Sequence, residues 1–372
     1  MVTEERSAAL RIAAAGPSID ERWYMFDRRR AGRVAETATV WDAPGRWRWP
    51  WGGVLAALVV GSWLLLGAVE AATRASPFQI GALTDAWGPT PGIVGLRDGL
   101  LELGYREDEQ FVIGVRFTQG ELAALPAAAR ELVEHGVDLI FAMNDNTAKA
   151  AQRATSRIPI VFGGGVDPVG MGLIQSFARP GGNVTGVTDL TLELGPKRLE
   201  VFRALLPGLK RVVFPYDAAD AASVAEARGY RDAARHLGIE LVERPVRTQE
   251  EVQAILARLP QGQGVGLLKP RSLALNIPGF VLEAATQRAI PVMADGAFWV
   301  EKGALASYGP DFYDSGRQAA RLVDKILKGT PPAELPVEVN AKIEFIINLK
   351  TAHALGLTIA PEVLFQANRL LR

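Results

Sequence analysis

From residue 78 onward, short apolar runs alternate with segments whose apolar residues recur at helical spacing, and this alternation is the tightest constraint on what the chain can fold into. The pattern predicts strands over 79–83, 111–117, 137–142 and 158–162, with helices over 93–103, 121–135 and 147–155 between them. A second series predicts helices over 194–205, 223–237, 249–258 and 278–288 and strands over 211–216, 240–244, 264–268 and 291–294. A strand, a crossover helix and a parallel strand connect right-handedly, so each series closes into a parallel sheet with helices on both faces. The expected class is therefore α/β, with two similar lobes. The length of 372 residues agrees, because it exceeds what one ordinary hydrophobic core organises.

Between the two series lies VFGGGVDPVGMGLIQSFARPGGNVTGVTDL, residues 161–190. The strand over 158–162 is expected to break at Gly163, Gly164 and Gly165, which tolerate left-handed backbone and allow close approach of a ligand at a carboxyl strand edge. Asp167-Pro168 predicts a tight corner, 170–178 a short helix, and 184–188 the next strand.

Ahead of the first strand, residues 1–48 are polar and basic, carry Arg28, Arg29, Arg30 and Arg33, and lack sustained periodicity, so they are expected to be disordered. The uncharged segment WPWGGVLAALVVGSWLLLGAV, residues 49–69, has the length and tryptophan edge of a membrane helix, with positive charge before it. Export of the remainder follows, through a signal anchor or a cleaved signal, with 70–77 as a linker. Lysine plus arginine and aspartate plus glutamate both number 41, so no global field draws the chain to nucleic acid. No cysteine is present, which removes disulfides, thiolate metal sites and cysteine nucleophiles together. The three histidines, His135, His236 and His353, fall near predicted helix ends rather than in strand-end loops. Neither a G-x-S-x-G elbow, a Walker loop nor an H-E-x-x-H pair occurs, so the sequence predicts no enzyme, no cofactor and no metal site.

Several long segments in collinear order carry a resemblance: IPIVF followed by VDPVG, SFARPGGNVTGVT, LELGPKRLEVFRALLPGLKRVV, ALASYGPDFYDSGRQAARLVDKILKGTPPAELPVE and FIINLKTAHALGLTIAPEVL. Together they resemble the ABC-transporter substrate-binding family of the tryptophan/tyrosine-binding type, from about residue 78 to the C-terminus. The resemblance implies the type I periplasmic-binding-protein fold, with the chain crossing between lobes near Asp189, Phe298 and Pro332. Lobe one is then 78–189 plus 299–332, and lobe two is 190–298 plus 333–372. It also implies a small-molecule ligand, possession of an ABC permease and its ATPase as partners, and hinge closure over the ligand. A ligand-sensing ectodomain anchored through 49–69 is the alternative use of the same architecture.

With two sheets facing each other, the loops at the carboxyl ends of their strands supply the site. Those loops contain Thr84, Asp85 and Trp87; Asn144 and Thr147; Val166 and Asp167; Thr188; Tyr216; Arg271; and Asp295 and Phe298. Asn144 and Thr147, at a helix start, are expected to hold a ligand carboxylate, with ordinary capping as the alternative. Asp167 and Asp295 suit a ligand ammonium group or an Asx-turn. Trp87, Tyr216 and Phe298 are expected to form aromatic walls. Lys269 and Arg271 stand where the resembling family has a less basic loop, which points to a ligand with an additional negative charge.

Overall fold

The computed structural model describes residues 23–25, 76–88, 90–189, 191–259, 264–271, 275 and 279–372. The expected membrane segment 49–69 lies outside the described residues, as do most of 1–48 and of the linker 70–77. Among the described residues no helix is long and apolar enough to cross a membrane.

In chain order, β1 (Trp23–Met25) precedes β2 (Phe78–Thr84), α1 (Pro91–Glu102), β3 (Phe111–Phe117), α2 (Leu125–Glu134), β4 (Leu139–Ala142), α3 (Asp145–Ala154), β5 (Ile160–Gly165) and β6 (Val184–Asp189). The second series runs α4 (Leu194–Leu205), β7 (Arg211–Asp217), α5 (Ala221–Leu237), β8 (Glu240–Val246), α6 (Gln249–Ala257), β9 (Val265–Leu268), α7 (Phe280–Gln287), β10 (Val292–Ala294), α8 (Ala297–Glu301) and β11 (Ala306–Pro310). Then come α9 (Phe312–Leu327), β12 (Glu338–Asn340), β13 (Ile343–Asn348), α10 (Leu349–Ala354), α11 (Pro361–Gln366) and β14 (Arg369–Leu371). The first sheet has the order β1-β3-β2-β4-β5-β6-β12 and the second β14-β13-β11-β10-β9-β7-β8. Helices 93–103, 223–237 and 249–258 of the sequence reading thus appear within a few residues of their expected ends.

Two-residue alternation sorts the strand side chains onto two faces. Ile80, Ala82, Leu139 and Phe141 join the core under α1 and α9, whereas Leu83, Ile140, Ala142 and Phe162 join the core under α2 and α3. In the second sheet Val212, Phe214 and Met293 face α4 and α5, and Val213, Val292 and Ala294 face α6 and α7. Both faces of each sheet are covered, which is why the parallel strands read as continuous apolar runs.

The structure departs from the sequence reading in four places. Trp23–Met25, inside the stretch expected to lack structure, pairs antiparallel with β3, whose outer edge offers unpaired backbone groups. The strand at 158–162 does not stop at the glycines: β5 continues to Gly165 through a bulge opposite β6. The expected helix at 170–178 is instead a set of turns, with Gly172 in left-handed backbone at φ 64°. Finally, the second sheet is mixed, because β13 runs antiparallel to β11.

The lobe boundaries shift as well. β11 belongs to the second sheet, parallel to β10, because the short β10-α8-β11 unit pairs strands that follow each other in the chain. β12 belongs to the first sheet, parallel to β6. The crossings therefore fall beside Asp189, at Asp311 and at residues 341–342, rather than near Phe298 and Pro332. These crossings are neighbours in space. Asn340 pairs with Asp189, Asn340 Nδ2 donates to the Asp311 carbonyl at 2.9 Å, and Asp311 N donates to the Lys342 carbonyl at 2.9 Å.

What draws α9 into the first lobe is a close helix contact. A Cβ on Gly95 would meet the Tyr313 carbonyl oxygen at 1.9 Å, and one on Gly316 would meet the Gly92 carbonyl oxygen at 1.9 Å. Replacing Gly316 by valine therefore forces the helices apart and is expected to cost ~3 kcal/mol. Urea unfolding checks this, with Gly208→Ala, where nothing lies within 4 Å of the added carbon, expected to change stability by less than ~0.5 kcal/mol.

Candidate functional site

The carboxyl ends of the first lobe's strands carry three aspartates whose settings differ. Asp85 follows β2, and its Oδ1 accepts from Asn144 Nδ2 at 3.0 Å. Asn144 caps α3: its Oδ1 accepts from Thr147 N at 3.0 Å, while the Thr147 hydroxyl accepts from Asn144 N at 2.9 Å. This is a reciprocal capping box, with Thr147 fully buried. Of the two uses open to Asn144 and Thr147 in the sequence, capping is the one their hydrogen bonds display.

Asp145, the first residue of α3, reaches across to the glycine strand. Its Oδ2 accepts from Val166 N at 2.8 Å and from Asp167 N at 3.2 Å. Its Oδ1 is buried and has no hydrogen-bond partner. Asp189, at the end of β6, is buried, and its Oδ1 accepts from Thr191 N at 3.1 Å and from the Thr191 hydroxyl. Thr188 donates from its hydroxyl to the Gly165 carbonyl at 2.6 Å, and the Thr84 hydroxyl accepts from Ala86 N at 3.1 Å. Asp167 is exposed and fixes its own loop, its Oδ1 accepting from Gly170 N at 2.8 Å.

The glycines of β5 are required by packing rather than by left-handed backbone; none of the three has positive φ. A Cβ would lie 2.4 Å from the Phe141 ring at Gly163, 3.0 Å from the Met143 carbonyl oxygen at Gly164, and 3.0 Å from Asp145 Oδ1 at Gly165. Small residues at these positions let β4, β5 and the start of α3 converge.

The second lobe contributes mostly cations. Lys269 Nζ lies 3.2 Å from Asp295 Oδ1 and 4.5 Å from the centroid of the Trp299 ring. Its charge is thus spent on an internal pair, whereas Arg271 makes no ion pair among the described residues. Deeper still, Arg198 Nη1 pairs with Glu226 Oε1 at 2.8 Å and contacts the Tyr230 hydroxyl at 2.6 Å, and Arg198 Nε donates to the Tyr308 carbonyl at 2.7 Å. Tyr216 stacks on Phe214 with centroids 5.6 Å apart, so it belongs partly to the core. Trp87 and Phe298 are about half exposed, Phe298 meeting Trp299 edge-on.

Arg271 links the two faces. Its charge lowers the carboxyls of Asp85, Asp145 and Asp189 from the opposite lobe, although burial outweighs it and raises all three. For Asp189 the result is about 6 against an ordinary 3.8. Asp295 behaves oppositely: burial pushes it up, but Lys269, Arg198 and Arg271 together hold it below the usual carboxylate range. Arg271 itself is opposed by burial and held protonated by Glu226, Asp189, Asp295 and Asp220. Among the described residues no carboxylate stands within ion-pair distance of its guanidinium.

Among the sequence-predicted residues, hydrogen bonds join Asp85, Asn144 and Thr147, Thr188 bonds the Gly165 carbonyl, Asp295 pairs with Lys269, Tyr216 and Phe298 pack on Phe214 and Trp299, and Asp167 is exposed. Sequence reasoning did not single out Asp145, Arg198 or Glu226. Asp145 shares a loop with Asn144 and had a readable position there; Arg198 and Glu226 lie within helices and carry no loop signal. The histidines sit at the end of α2, in the last turn of α5 and in the last turn of α10. Among the described residues no group of three or more histidine, aspartate or glutamate side chains is arranged to hold a metal ion.

Two largely parallel sheets, each covered by helices on both faces and joined by adjacent crossings, make up the type I periplasmic-binding-protein fold. The model of the ABC transporter substrate binding protein family matches residues 91–371. The chain belongs to that family. A tyrosine-binding protein of Clostridioides difficile (strain R20291) is 30% identical over 264 residues, covering 71% of this chain and 76% of that protein. A Streptococcus pneumonia ABC domain in complex with L-Trp superposes with a TM-score of 0.69 at 27% identity, covering 80% of this chain and all of that one. The ligand-free, open structure of a substrate binding protein with adhesive properties from Clostridium difficile superposes with a TM-score of 0.57 at 26% identity, covering 79% and 99%.

The raised carboxyl of Asp189 has a consequence for stability. Between its unfolded value of 3.8 and its folded value of about 6, the native chain binds the proton that the unfolded chain releases. The contribution is complete below the unfolded value and is lost as pH rises through about 6. Melting temperature is expected to rise as pH falls from 7.5 to 5, and Asp189→Asn, which keeps the acceptor for Thr191, is expected to flatten that profile and raise stability at pH 7.5. A variant profile parallel to that of the natural protein would remove Asp189 as the source.

Proposed function

We propose that this protein is the extracytoplasmic solute-binding subunit of an ABC importer, taking an amino acid or a related small carboxylate between its lobes and presenting it to the permease and its ATPase. The observation that carries the reading is the pair of sheets joined by three adjacent crossings, with Asp85, Asp145 and Asp189 at strand ends of one lobe and the Lys269–Asp295 pair at strand ends of the other. Charged groups of opposite sign on the two lobes reward closure when a small polar ligand sits between them. The three adjacent crossings form the hinge, and closing about them shields the ligand from water.

The relatives support the amino-acid class: one is a tyrosine-binding protein and another is seen with L-Trp. At similar identity and coverage, the superposition is also better on the L-Trp complex, 0.69, than on the ligand-free, open structure, 0.57. That difference favours a two-state hinge in which the described arrangement is the closed one. Residues 49–69 would hold the protein at the membrane in this reading.

Thermal unfolding of the purified protein against the common amino acids, small carboxylates, sugars and nucleosides tests the proposal. A ligand present at about 100 times its dissociation constant adds about 2.7 kcal/mol, a shift of a few degrees for a chain of this size. The expected result is a shift with aromatic amino acids and none with sugars or nucleosides. A shift confined to sugars or nucleosides, or none at all, would overturn the amino-acid reading.

A further inference from the structure

Without β1, the two sheets would end in four strands: β3 and β12 in the first, β14 and β8 in the second. Three of these edges are guarded. β8 carries Glu240, Glu243, Arg244 and Pro245, while β12 and β14 are three residues each. Charge, proline and shortness are devices that keep an edge strand from pairing with another chain. β3 has none of them. It runs for seven residues, FVIGVRF, and its one charged side chain, Arg116, is buried against Glu131, Nε to Oε2 at 2.6 Å.

The β3 edge is covered instead. At its start Asp108 N donates to the Phe111 carbonyl at 2.9 Å. Further along, β1 runs antiparallel to it, with Trp23 opposite Arg116, Tyr24 opposite Val115 and Met25 opposite Gly114. The long apolar edge is thereby exchanged for one of three residues, the same device that guards β12 and β14.

Paired strands stand about 4.8 Å apart, whereas the hydrocarbon core of a bilayer is about 30 Å thick. β1 and β3 therefore share one side of a membrane. Between them in the sequence runs the apolar segment 49–69. A single crossing by that segment, as the positive charge ahead of it suggests, would put β1 and β3 on opposite sides.

We infer that residues 23–25 stay on the same side of the membrane as the two lobes, where they close the β3 edge, so that both ends of segment 49–69 lie on that side. Held this way, the apolar segment attaches the protein to the bilayer from one face. The inference concerns topology and is independent of which ligand the lobes take.

The chain has no cysteine, so introduced thiols report without background. In intact cells producing the full chain, a membrane-impermeant maleimide is expected to label Ser18→Cys, ahead of β1, at the same rate as Gly208→Cys, an exposed site of the second lobe where nothing lies within 4 Å of the added carbon. In isolated, oxidised membranes the double variant Tyr24→Cys with Val115→Cys, whose backbones are paired, is expected to form a disulfide, and Tyr24→Cys with Gly208→Cys is not. The labelling does not depend on how well the double variant folds, and far-UV melting of that variant separates lost pairing from lost structure. Labelling of Gly208→Cys alone, with Ser18→Cys reached only after the membrane is opened, would overturn the inference. A mature chain that begins beyond residue 25, or a folded double variant that stays reduced, would overturn it too. Labelling of neither site until the cell is opened would support the shared side but overturn the extracytoplasmic reading.

Discussion

The close packing of α9 on α1 is the contact on which the remaining architecture depends. α9 lies between β11 and β13, two neighbouring strands of the second sheet, yet its small residues fit only against the glycine face of α1 in the first lobe. The chain must therefore leave the second sheet at Pro310, run through α9 and β12, and return at Ile343 directly beside its point of departure. This excursion sets two crossings side by side. Pairing of β12 with β6 then brings in the third, at Asp189. The three crossings therefore lie side by side where the two lobes join.

Charge distribution follows from that geometry. Each lobe alone would present an imbalance: aspartates at the strand ends of the first, and a cluster of Lys269, Arg271 and Arg198 with Asp295 and Glu226 in the second. Burial at the junction disfavours the ionised aspartates, and the opposing arginine compensates only in part. The buried Arg198–Glu226 pair has a different role, tying α4 to α5 and, through the Tyr308 carbonyl, to β11. Its two charges satisfy each other inside one lobe, where they hold the second sheet's helices in register.

The glycines of β5 show how a correct location can carry an incorrect reason. Three successive glycines were legible at a carboxyl strand edge, and they form the end of β5. Ligand approach and left-handed backbone are the usual grounds for such a run. Here the space is taken by the Phe141 ring at Gly163, by the Met143 carbonyl at Gly164, and by the Phe162 ring and the Asp145 carboxylate at Gly165. Asn144 and Thr147 illustrate the same limit: their residue types announce a helix start, and the hydrogen bonds of the capping box are what separates that use from ligand binding.

Sequence alone determined the α/β class, the two series of strands and helices, the strand-end loops and the family, because apolar periodicity and collinear motifs are local properties of the chain. Tertiary structure decided which sheet receives β11 and β12, since strand membership depends on edges and helix faces contributed from elsewhere. It also decided which carboxylates are satisfied. Lys269 and Arg271 look equivalent two residues apart, yet only Lys269 has Asp295 and Trp299 within reach. Asp145 looks like an ordinary first-turn acid until β5 arrives to bury it. A side chain's charge is written in the sequence, whereas the partner that neutralises it is set by which distant segments the fold brings within a few ångströms.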